Sequence, residues 1–199
     1  MTLSDGPAEG LSPVVVTALE TTDACDVRGS AEPKVSPVLA RVGTPSPEYS
    51  RFFYRAVGGN WYWVDRIPWT YEQWSEWVQA PGYELWVCTV DGAPAGYFEL
   101  DRAPDGTVEL AYFGLLPGYA GLGLGGWLLT QALRRAWETE GTTRVWVHTC
   151  DLDSPTALAN YKARGLRPYS TTTEYRDLRA PTPGPWRGAH LEQGDFPVH

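Results

Sequence analysis

Residues 117–126 read PGYAGLGLGG, a glycine-rich stretch directly before a predicted helix. Glycine occupies positions 121, 123, 125 and 126, and the following residues, WLLTQALRRAW, have the apolar spacing of an amphipathic helix. Glycine lets a backbone approach a ligand without a β-carbon in the way. The free N–H groups at a helix N-terminus favour an anion. The stretch therefore predicts a phosphate-binding loop, and a tight loop whose glycines serve only packing is the alternative.

Two nucleotide-binding patterns compete for this loop. Gly121, Gly123 and Gly126 satisfy the G-x-G-x-x-G pattern of dinucleotide-binding folds, and Asp151 ends the next predicted strand. This aspartate comes later than the ~20 residues that the dinucleotide pattern expects. A long stretch of chain precedes the loop, and the chain after it is too short for the remaining βαβ units of such a fold. The flanking sequence therefore has to decide the ligand.

The residues on either side of the loop predict a mixed sheet. Upstream, tight turns join three antiparallel strands, YELWVCTV, AGYFELD and TVELAYFGLL. Downstream, a helix over about 123–140, closed by Gly141, precedes the strand RVWVHTC, which should run parallel to the strand before the helix. A short helix in SPTALANYKARG, capped by Ser154 and closed by Gly165, leads to a last strand or hairpin in LRPYSTTTEYRDL.

The first third of the chain predicts one or two further strands and two helices. The strand SPVVVTALET and the weaker candidate PVLARV precede a helix with Ser46 as N-cap and Pro47 at its first position. The aromatic loop NWYWVDRIPW leads to a second helix, YEQWSEWVQA, capped by Thr70. This order of elements is that of an α/β domain with a mixed sheet. It predicts three segments: a disordered N-terminus over 1–10, one domain over 11–178, and a Pro/Gly-rich tail over 179–199.

Composition argues against several classes of protein. The net charge is −8 without a cluster of Lys and Arg, so we expect no nucleic-acid binding. No apolar run reaches the ~20 residues of a membrane helix, and the first residues lack the pattern of a signal peptide, so we expect a cytoplasmic protein without membrane contact. We also expect no metal, because the cysteines and histidines lack ligand spacing: Cys25, Cys88, Cys150, His148, His190 and His199.

Two motifs give residues 83–177 a resemblance to the core of the GNAT acyltransferase superfamily. That family has a loop of the form P-x-Y-R/Q-x-x-G-x-G/A after an antiparallel strand, matched by Pro117, Tyr119, Ala120, Gly123 and Gly125. It also has a helix of the form N-x-x-A-x-x-x-Y-x-x-x-G-F, matched by Ser154, Ala157, Tyr161, Gly165 and Leu166. Two positions depart from the pattern, since Ala120 stands where the family has Arg or Gln and Ser154 where it has Asn.

The resemblance implies a fold, a donor and an activity. The fold would be a mixed, mostly antiparallel sheet of about six or seven strands flanked by about four helices. The donor would be acetyl-CoA or another acyl-CoA, and the enzyme an N-acetyltransferase that acylates an amine of a small molecule by direct attack in a ternary complex. A non-catalytic acyl-CoA-binding module of the same fold is the alternative, and a nucleotide-binding oxidoreductase is a weaker one. A homodimer through the aromatic first third or the Pro-rich tail would also fit.

The same resemblance places acyl-CoA on the chain. The backbone amides of the loop would hold the pyrophosphate: Gly121, Leu122, Gly123, Leu124, Gly125 and Gly126. The pantetheine arm would follow the strand edge formed by Phe113, Gly114, Leu115 and Leu116. The N–H of Leu115 would polarise the thioester carbonyl. Ser154, Ala157 and Tyr161 would meet the arm from the short helix.

Three residues are candidates for proton transfer. The resemblance makes Tyr161 the acid that protonates the departing thiolate, and a tyrosine packed on the core is the alternative interpretation. Glu109 is the first candidate for the base and His148 the second, because an imidazole has an ordinary pKa near ~6.5. Strict alternation along the strand would place Glu109, Ala111 and Phe113 on one face and Tyr112 on the other. It predicts that either Glu109 or Tyr112 faces the cleft, but not both.

The acceptor site is expected between the early helices and the aromatic loop. Aromatic rings there would suit an apolar or cationic acceptor, although each ring could equally be a core residue. The candidates are Phe53, Tyr54, Trp61, Trp63, Trp69 and Tyr112.

Overall fold

A computed structural model describes residues 10–178. The predictions for 1–9 and for the tail at 179–199 lie outside the described residues. The strands are β1 (Ser12–Thr21), β2 (Pro37–Arg41), β3 (Tyr83–Val90), β4 (Ala93–Arg102), β5 (Thr107–Leu115), β6 (Arg144–Cys150) and β7 (Arg167–Arg176). The helices are α1 (Pro47–Gly58), α2 (Tyr71–Val78), α3 (Leu124–Trp137) and α4 (Ala157–Ala163), with short 3₁₀ turns at Ala24–Asp26 and Pro117–Tyr119. In the part of the chain described, none of these helices has the length and apolarity to cross a membrane.

All seven strands belong to one sheet, in the order β2-β3-β4-β5-β6-β1-β7. Every neighbouring pair is antiparallel except β5 and β6, which are parallel. The predicted mixed sheet with four flanking helices is therefore confirmed. The position of β1 could not be read from the sequence. This first strand lies between β6 and β7, with Val16 opposite Cys150 on one side and Thr172 on the other.

The parallel pair separates almost as soon as it forms. β5 and β6 are paired only over Thr107–Glu109 and Arg144–Trp146. Beyond Glu109 the two strands diverge, so their remaining residues face each other across an opening. A sheet that parts in its middle leaves backbone N–H and C=O groups free to bind a ligand, as an edge strand does.

Two apolar cores lie on the two faces of the sheet. On one face, α3 buries Leu124, Leu128, Ala132 and Ala136, each at most 1% exposed. This bears out the four-residue spacing expected of the helix. On the other face, α1 and α2 close a second core that contains Phe53, Val57, Val78 and Tyr97. Helices therefore cover both faces of the sheet, and the opening between β5 and β6 lies between the α3 side and the α1–α2 side.

The early helices start where the sequence predicts. The hydroxyl of Ser46 accepts from the backbone N–H of Tyr49 at 3.2 Å, with Pro47 at the first helical position. Thr70 forms a capping box with Gln73 at the start of α2. Both caps satisfy N–H groups that would otherwise lack an acceptor.

The two later helices are shorter than predicted. α3 ends at Trp137 rather than near 140, and the Arg102 guanidinium donates to the carbonyls of Arg135 and Ala136 in its last turn at 2.8 and 3.0 Å. Ser154 is not the N-cap of α4, which starts at Ala157 after Thr156. Instead, the carbonyl of Ser154 accepts from the N–H of Ala157 at 2.8 Å, so this serine lies in a turn before the helix.

A β-bulge at Ala111 overturns the alternation expected along β5. Tyr112 pairs with Glu99 while Leu110 pairs with Leu100, so one extra residue sits on β5. An inserted residue shifts every later side chain to the opposite face of the strand. Glu109 and Tyr112 therefore lie on the same face, so the strict alternation expected along β5 is wrong, although of the two residues only Tyr112 lines the cleft.

Candidate active site

One continuous cleft occupies the opening between β5 and β6. Its volume is about 970 Å³. The glycine loop and α4 form one part of its wall, and α1 with the loop 59–70 forms another. The ends of β5 and β6 form the floor between them. A single cleft thus joins the predicted donor and acceptor regions.

The glycine loop presents an unbroken row of free backbone amides. Among residues 10–178, no carbonyl or side chain accepts a hydrogen bond from the N–H of any residue from Gly121 to Gly126. Gly121 and Gly123 both have φ of +78°, a conformation that glycine adopts without strain. The first turn of α3 has no acidic residue and no side-chain cap. These N–H groups therefore suit an external anion.

Leu122 and Leu124 contribute to the loop by backbone only. The carbonyl of Leu122 accepts from the N–H of Lys34 at 2.9 Å, and the side chain of Leu124 is fully buried in the core. The four glycines, in contrast, all line the cleft. The leucines therefore anchor the loop while the glycines leave room beside it.

The end of β5 exposes one backbone N–H to the opening. Phe113, Gly114, Leu115 and Leu116 line the cleft. Leu116 donates its N–H to the carbonyl of Ala95 on β4 at 2.9 Å, so Leu115 forms the adjacent, non-hydrogen-bonded pair with Gly96. The N–H of Leu115 consequently points away from β4, towards the strand from which β5 has parted.

The two candidate bases lie beside each other. Nδ1 of His148 is 3.5 Å from Oε1 of Glu109, and the imidazole is half exposed in the cleft. The Glu109 carboxylate raises the pKa of His148 above its ordinary value, with further help from the charges of Asp153 and Glu174 and against the effect of burial. At neutral pH, the charged fraction of this imidazole is therefore larger than that of an isolated histidine.

Tyr161 lies in α4 with its ring edge-on to Phe113, at 6.2 Å between centroids. It is only 6% exposed and lines the cleft together with Ser154 and Ala157. Burial, with the charge of Asp153, raises the pKa of Tyr161 well above its ordinary value. Within the described chain, its hydroxyl has no hydrogen-bond partner, so the group is a protonated donor available to a ligand.

An aromatic wall forms the other half of the cleft. Tyr54, Trp63 and Tyr112 contact one another at centroid distances of 5.1–5.7 Å. Trp61 lines the same region. The hydroxyl of Tyr54 accepts from the N–H of Arg66 at 3.1 Å, which ties α1 to the loop after it. The wall is therefore fixed by packing and can present flat apolar surface to an acceptor.

Two of the aromatic residues expected at the acceptor site lie elsewhere. Phe53 is 0% exposed and stacks on Tyr97 at 5.0 Å, because its position on α1 points into the core while Tyr54 points to the cleft. Trp69 packs against Trp74 at 5.3 Å and faces a separate groove on the outer side of α1 and α2. Neither side chain reaches the cleft.

Asp153 is a polar residue of the cleft that the sequence analysis missed. Its carboxylate accepts from Nε1 of Trp63 at 3.2 Å, from the hydroxyl of Thr149 at 2.7 Å and from the N–H of Cys150 at 3.1 Å. It thereby holds the aromatic wall to the end of β6. The signal available in the sequence is a carboxylate just after a strand, which Asp151 also satisfies. Asp151 instead accepts from the N–H of Val15 at 3.2 Å and joins β6 to β1.

A buried ionic cluster supports the wall from behind. The Arg66 guanidinium lies 3.9 Å from the Trp77 ring and 4.4 Å from the Tyr112 ring. The fully buried Glu99 lies 3.8 Å from Arg66 and accepts from Nε1 of Trp77 at 2.8 Å and from the Ser50 hydroxyl. Burial raises the pKa of Glu99, against the effect of these donors. Within residues 10–178, no group of three or more His, Cys, Asp or Glu is placed to hold a metal.

Family comparison agrees with this geometry. The model of the acetyltransferase (GNAT) family matches residues 48–166. The chain belongs to the GNAT acetyltransferase family. The match contains the glycine loop, both candidate bases and Tyr161. No curated protein matches the chain significantly.

Solved structures share the fold. A GCN5-related N-acetyltransferase from Kribbella flavida is 21% identical, with a TM-score of 0.59 over 86% of this chain and 61% of its own length. The ribosomal-protein-S18-alanine N-acetyltransferase of Escherichia coli is 18% identical, with a TM-score of 0.53 over 68% of this chain and 80% of its own. An aminoglycoside acetyltransferase from an uncultured soil metagenomic sample is 13% identical, with a TM-score of 0.53. The match covers 64% of this chain and 86% of that acetyltransferase. At these identities the similarity is one of fold.

Proposed function

We propose that this GNAT-family chain is an N-acyltransferase that moves the acetyl group of acetyl-CoA to an amine of a small molecule. The observation that carries the proposal is the single cleft in which free loop amides, a proton acceptor and a proton donor line the space between two parted strands. The amine would attack directly, with both substrates bound together. A covalent route through Cys150 lacks support, because burial and Asp153 raise the pKa of that thiol.

The donor half fits an acyl-CoA. The amides of Gly121–Gly126 would hold the pyrophosphate, and the N–H of Leu115 would donate to the thioester carbonyl oxygen as negative charge develops there. Acetyl-CoA, when bound, supplies a thioester whose acyl carbon an amine can attack. The side chain of Phe113 and the ring of Tyr161 would border the arm. No side-chain charge of this loop takes part, since Ala120 replaces the Arg or Gln of the family pattern.

The proton acceptor would be His148, with Glu109 positioning it. An amine arrives as an ammonium ion and has to lose a proton before its nitrogen can form the new C–N bond. Glu109 would accept from the Nδ1–H of His148 and leave Nε2 free to take that proton. As the C–S bond breaks, Tyr161 would give its proton to the thiolate. His148 lies on β6 and Tyr161 on α4, and both line the same cleft, so the two proton transfers use separate groups.

The pH dependence of the rate tests the roles of His148 and Glu109. Because the base works only when it is unprotonated, kcat/KM should rise as the pH passes the raised pKa of His148. Glu109→Gln removes the charge that raises this pKa, so the rising limb should move to lower pH. His148→Asn should remove the limb altogether.

Glu140→Gln is the matched control, because it removes one exposed negative charge distant from the cleft. Its profile should coincide with that of the unchanged protein. A limb that stays in place in both Glu109→Gln and His148→Asn would exclude both residues from the proton transfer.

The acceptor half favours a cationic amine with an apolar body. The aromatic wall offers flat surface, and Asp65 and Asp153 line the same part of the cleft. Carboxylates near aromatic faces attract an ammonium group. The related structures act on an alanine of a ribosomal protein in one case and on aminoglycosides in another, going by their names. We propose a small molecule, because the cleft encloses its ligand space between α1 and α4.

Release of free thiol from acetyl-CoA tests the function. The assay would present acetyl-CoA with a panel of aryl-alkyl amines, amino acids, aminoglycosides and short peptides. Thiol release with at least one small amine, and with none absent the amine, would support the proposal. Binding of acetyl-CoA without turnover on any member would favour a non-catalytic module. Binding of a reduced nicotinamide instead of acetyl-CoA would favour an oxidoreductase.

A further inference from the structure

The glycine loop has no cation of its own. Ala120 offers only an exposed methyl group, and residues 117–126 contain no Lys or Arg. Six free amides would meet the doubly charged pyrophosphate of the proposed donor. Backbone dipoles alone leave such an anion only partly compensated, and a guanidinium that binds two phosphate oxygens is a common complement. A cation from another element would complete the site.

Arg164 is the side chain placed to do so. It follows α4, and its Nη1 lies 3.0 Å from the position that a β-carbon on Gly126 would occupy. Asn160, one turn earlier, donates from Nδ2 to the carbonyl of Gly125 at 3.3 Å and so holds α4 against the start of α3. The guanidinium therefore lies beside the first turn of α3, next to the free amides.

This placement is unfavourable unless an anion is bound. The N-terminus of a helix carries partial positive charge, which repels a guanidinium beside it. The Nε atom of Arg164 is buried and lacks a hydrogen-bond partner, and the side chain forms no ion pair within residues 10–178. A buried donor without an acceptor costs stability. Both costs would disappear if a phosphate oxygen lay between Arg164 and the amides.

We infer that Arg164 binds the pyrophosphate of acyl-CoA and takes the place of the side chain that Ala120 lacks. This inference rests on the proposed function. It predicts different effects of one substitution on two quantities, donor binding and thermal stability. Arg164→Gln should weaken donor binding, and it should not lower the thermal stability of the unliganded protein, because it removes an uncompensated cation from a helix N-terminus.

The test compares the Kd values of CoA, 3′-dephospho-CoA and S-acetylpantetheine by calorimetry. Arg164→Gln should weaken CoA and 3′-dephospho-CoA alike, by about 10-fold to 100-fold, and leave S-acetylpantetheine unchanged. Lys162→Gln, which removes an exposed charge from the same helix, should change none of the three. Adding Ala120→Arg to Arg164→Gln should restore part of the lost affinity.

Three results would overturn the inference. One is an unchanged Kd for CoA, and another is a loss confined to CoA, which would place Arg164 on the 3′-phosphate. The third is a lower melting temperature of the unliganded variant with an equal loss for S-acetylpantetheine, which would make the residue structural. If the unchanged protein binds no CoA at all, the proposed function fails first.

Discussion

Replacement of Tyr161 by Phe should lower kcat about 100-fold or more and leave the Kd of acetyl-CoA nearly unchanged. A positioned general acid contributes 10²–10⁴-fold to a rate, in order of magnitude. The substitution removes only the hydroxyl, while the ring keeps its edge-on contact with Phe113. Because that hydroxyl has no partner within the described chain, no other polar group loses a hydrogen bond. The melting temperature should therefore stay the same or rise slightly.

Tyr97→Phe is a matched control for this variant. The Tyr97 hydroxyl is also buried without a partner, but it lies among the residues under α1 and outside the cleft. Its removal should leave kcat unchanged. The raised pKa of Tyr161 adds a further expectation, because a hydroxyl that stays protonated throughout the assay range adds no alkaline limb to the profile. Normal turnover in Tyr161→Phe would remove this residue from the acid role.

Local patterns predicted the parts of the fold that depend on local forces. The apolar residues of α3 recur at helical spacing because one side of that helix meets the sheet, and all four expected positions are buried. The caps at Ser46 and Thr70 follow from the hydrogen-bonding needs of a helix start. The glycine loop could be predicted for the same reason, since its backbone conformation requires glycine at 121 and 123.

Features that depend on distant pairing could not be predicted in this way. Nothing in SPVVVTALET indicates that β1 lies between β6 and β7, because strand order depends on contacts far apart in sequence. The bulge at Ala111 carries no glycine or proline to mark it, and it reverses the face of Tyr112 relative to Glu109. Similarly, Phe53 and Tyr54 are adjacent aromatics on one helix, and only the packed structure shows which of them reaches the cleft.

The cluster behind the aromatic wall links the stability of the fold to the proposed acceptor site. Arg66 belongs to the loop 59–70, which carries Trp61 and Trp63 into the cleft. Its guanidinium is held between aromatic rings and a buried carboxylate. Disturbing that carboxylate should therefore affect the fold first and the proposed acceptor site second, and it should affect the glycine loop on the other side of the cleft least.

Glu99→Ala should accordingly lower the free energy of unfolding by about 3–5 kcal/mol, the usual cost of removing one partner of a buried ion pair. Arg66 would lose its buried counter-charge, and Ser50 and Trp77 would lose their acceptor. The KM for the amine should rise more than the KM for acetyl-CoA, because the loop with Trp61 and Trp63 would lose its anchor. Urea unfolding and two-substrate kinetics would measure the two effects.

Glu99→Gln separates the charge of Glu99 from its hydrogen bonds, and Glu138→Ala is the control for loss of an exposed ion pair. Burial raises the pKa of Glu99, so the folded protein binds this proton more readily than the unfolded chain does. The stabilising contribution is therefore present at low pH and is lost as the pH rises through the folded-state pKa. Glu99→Gln cannot ionise, so its stability relative to the unchanged protein should improve with rising pH.

Glu138→Ala, which breaks only an exposed pair with Arg135, should lower the free energy of unfolding by at most about 1 kcal/mol. A loss equally small in Glu99→Ala would mean that water replaces the carboxylate, and that the rings alone hold Arg66.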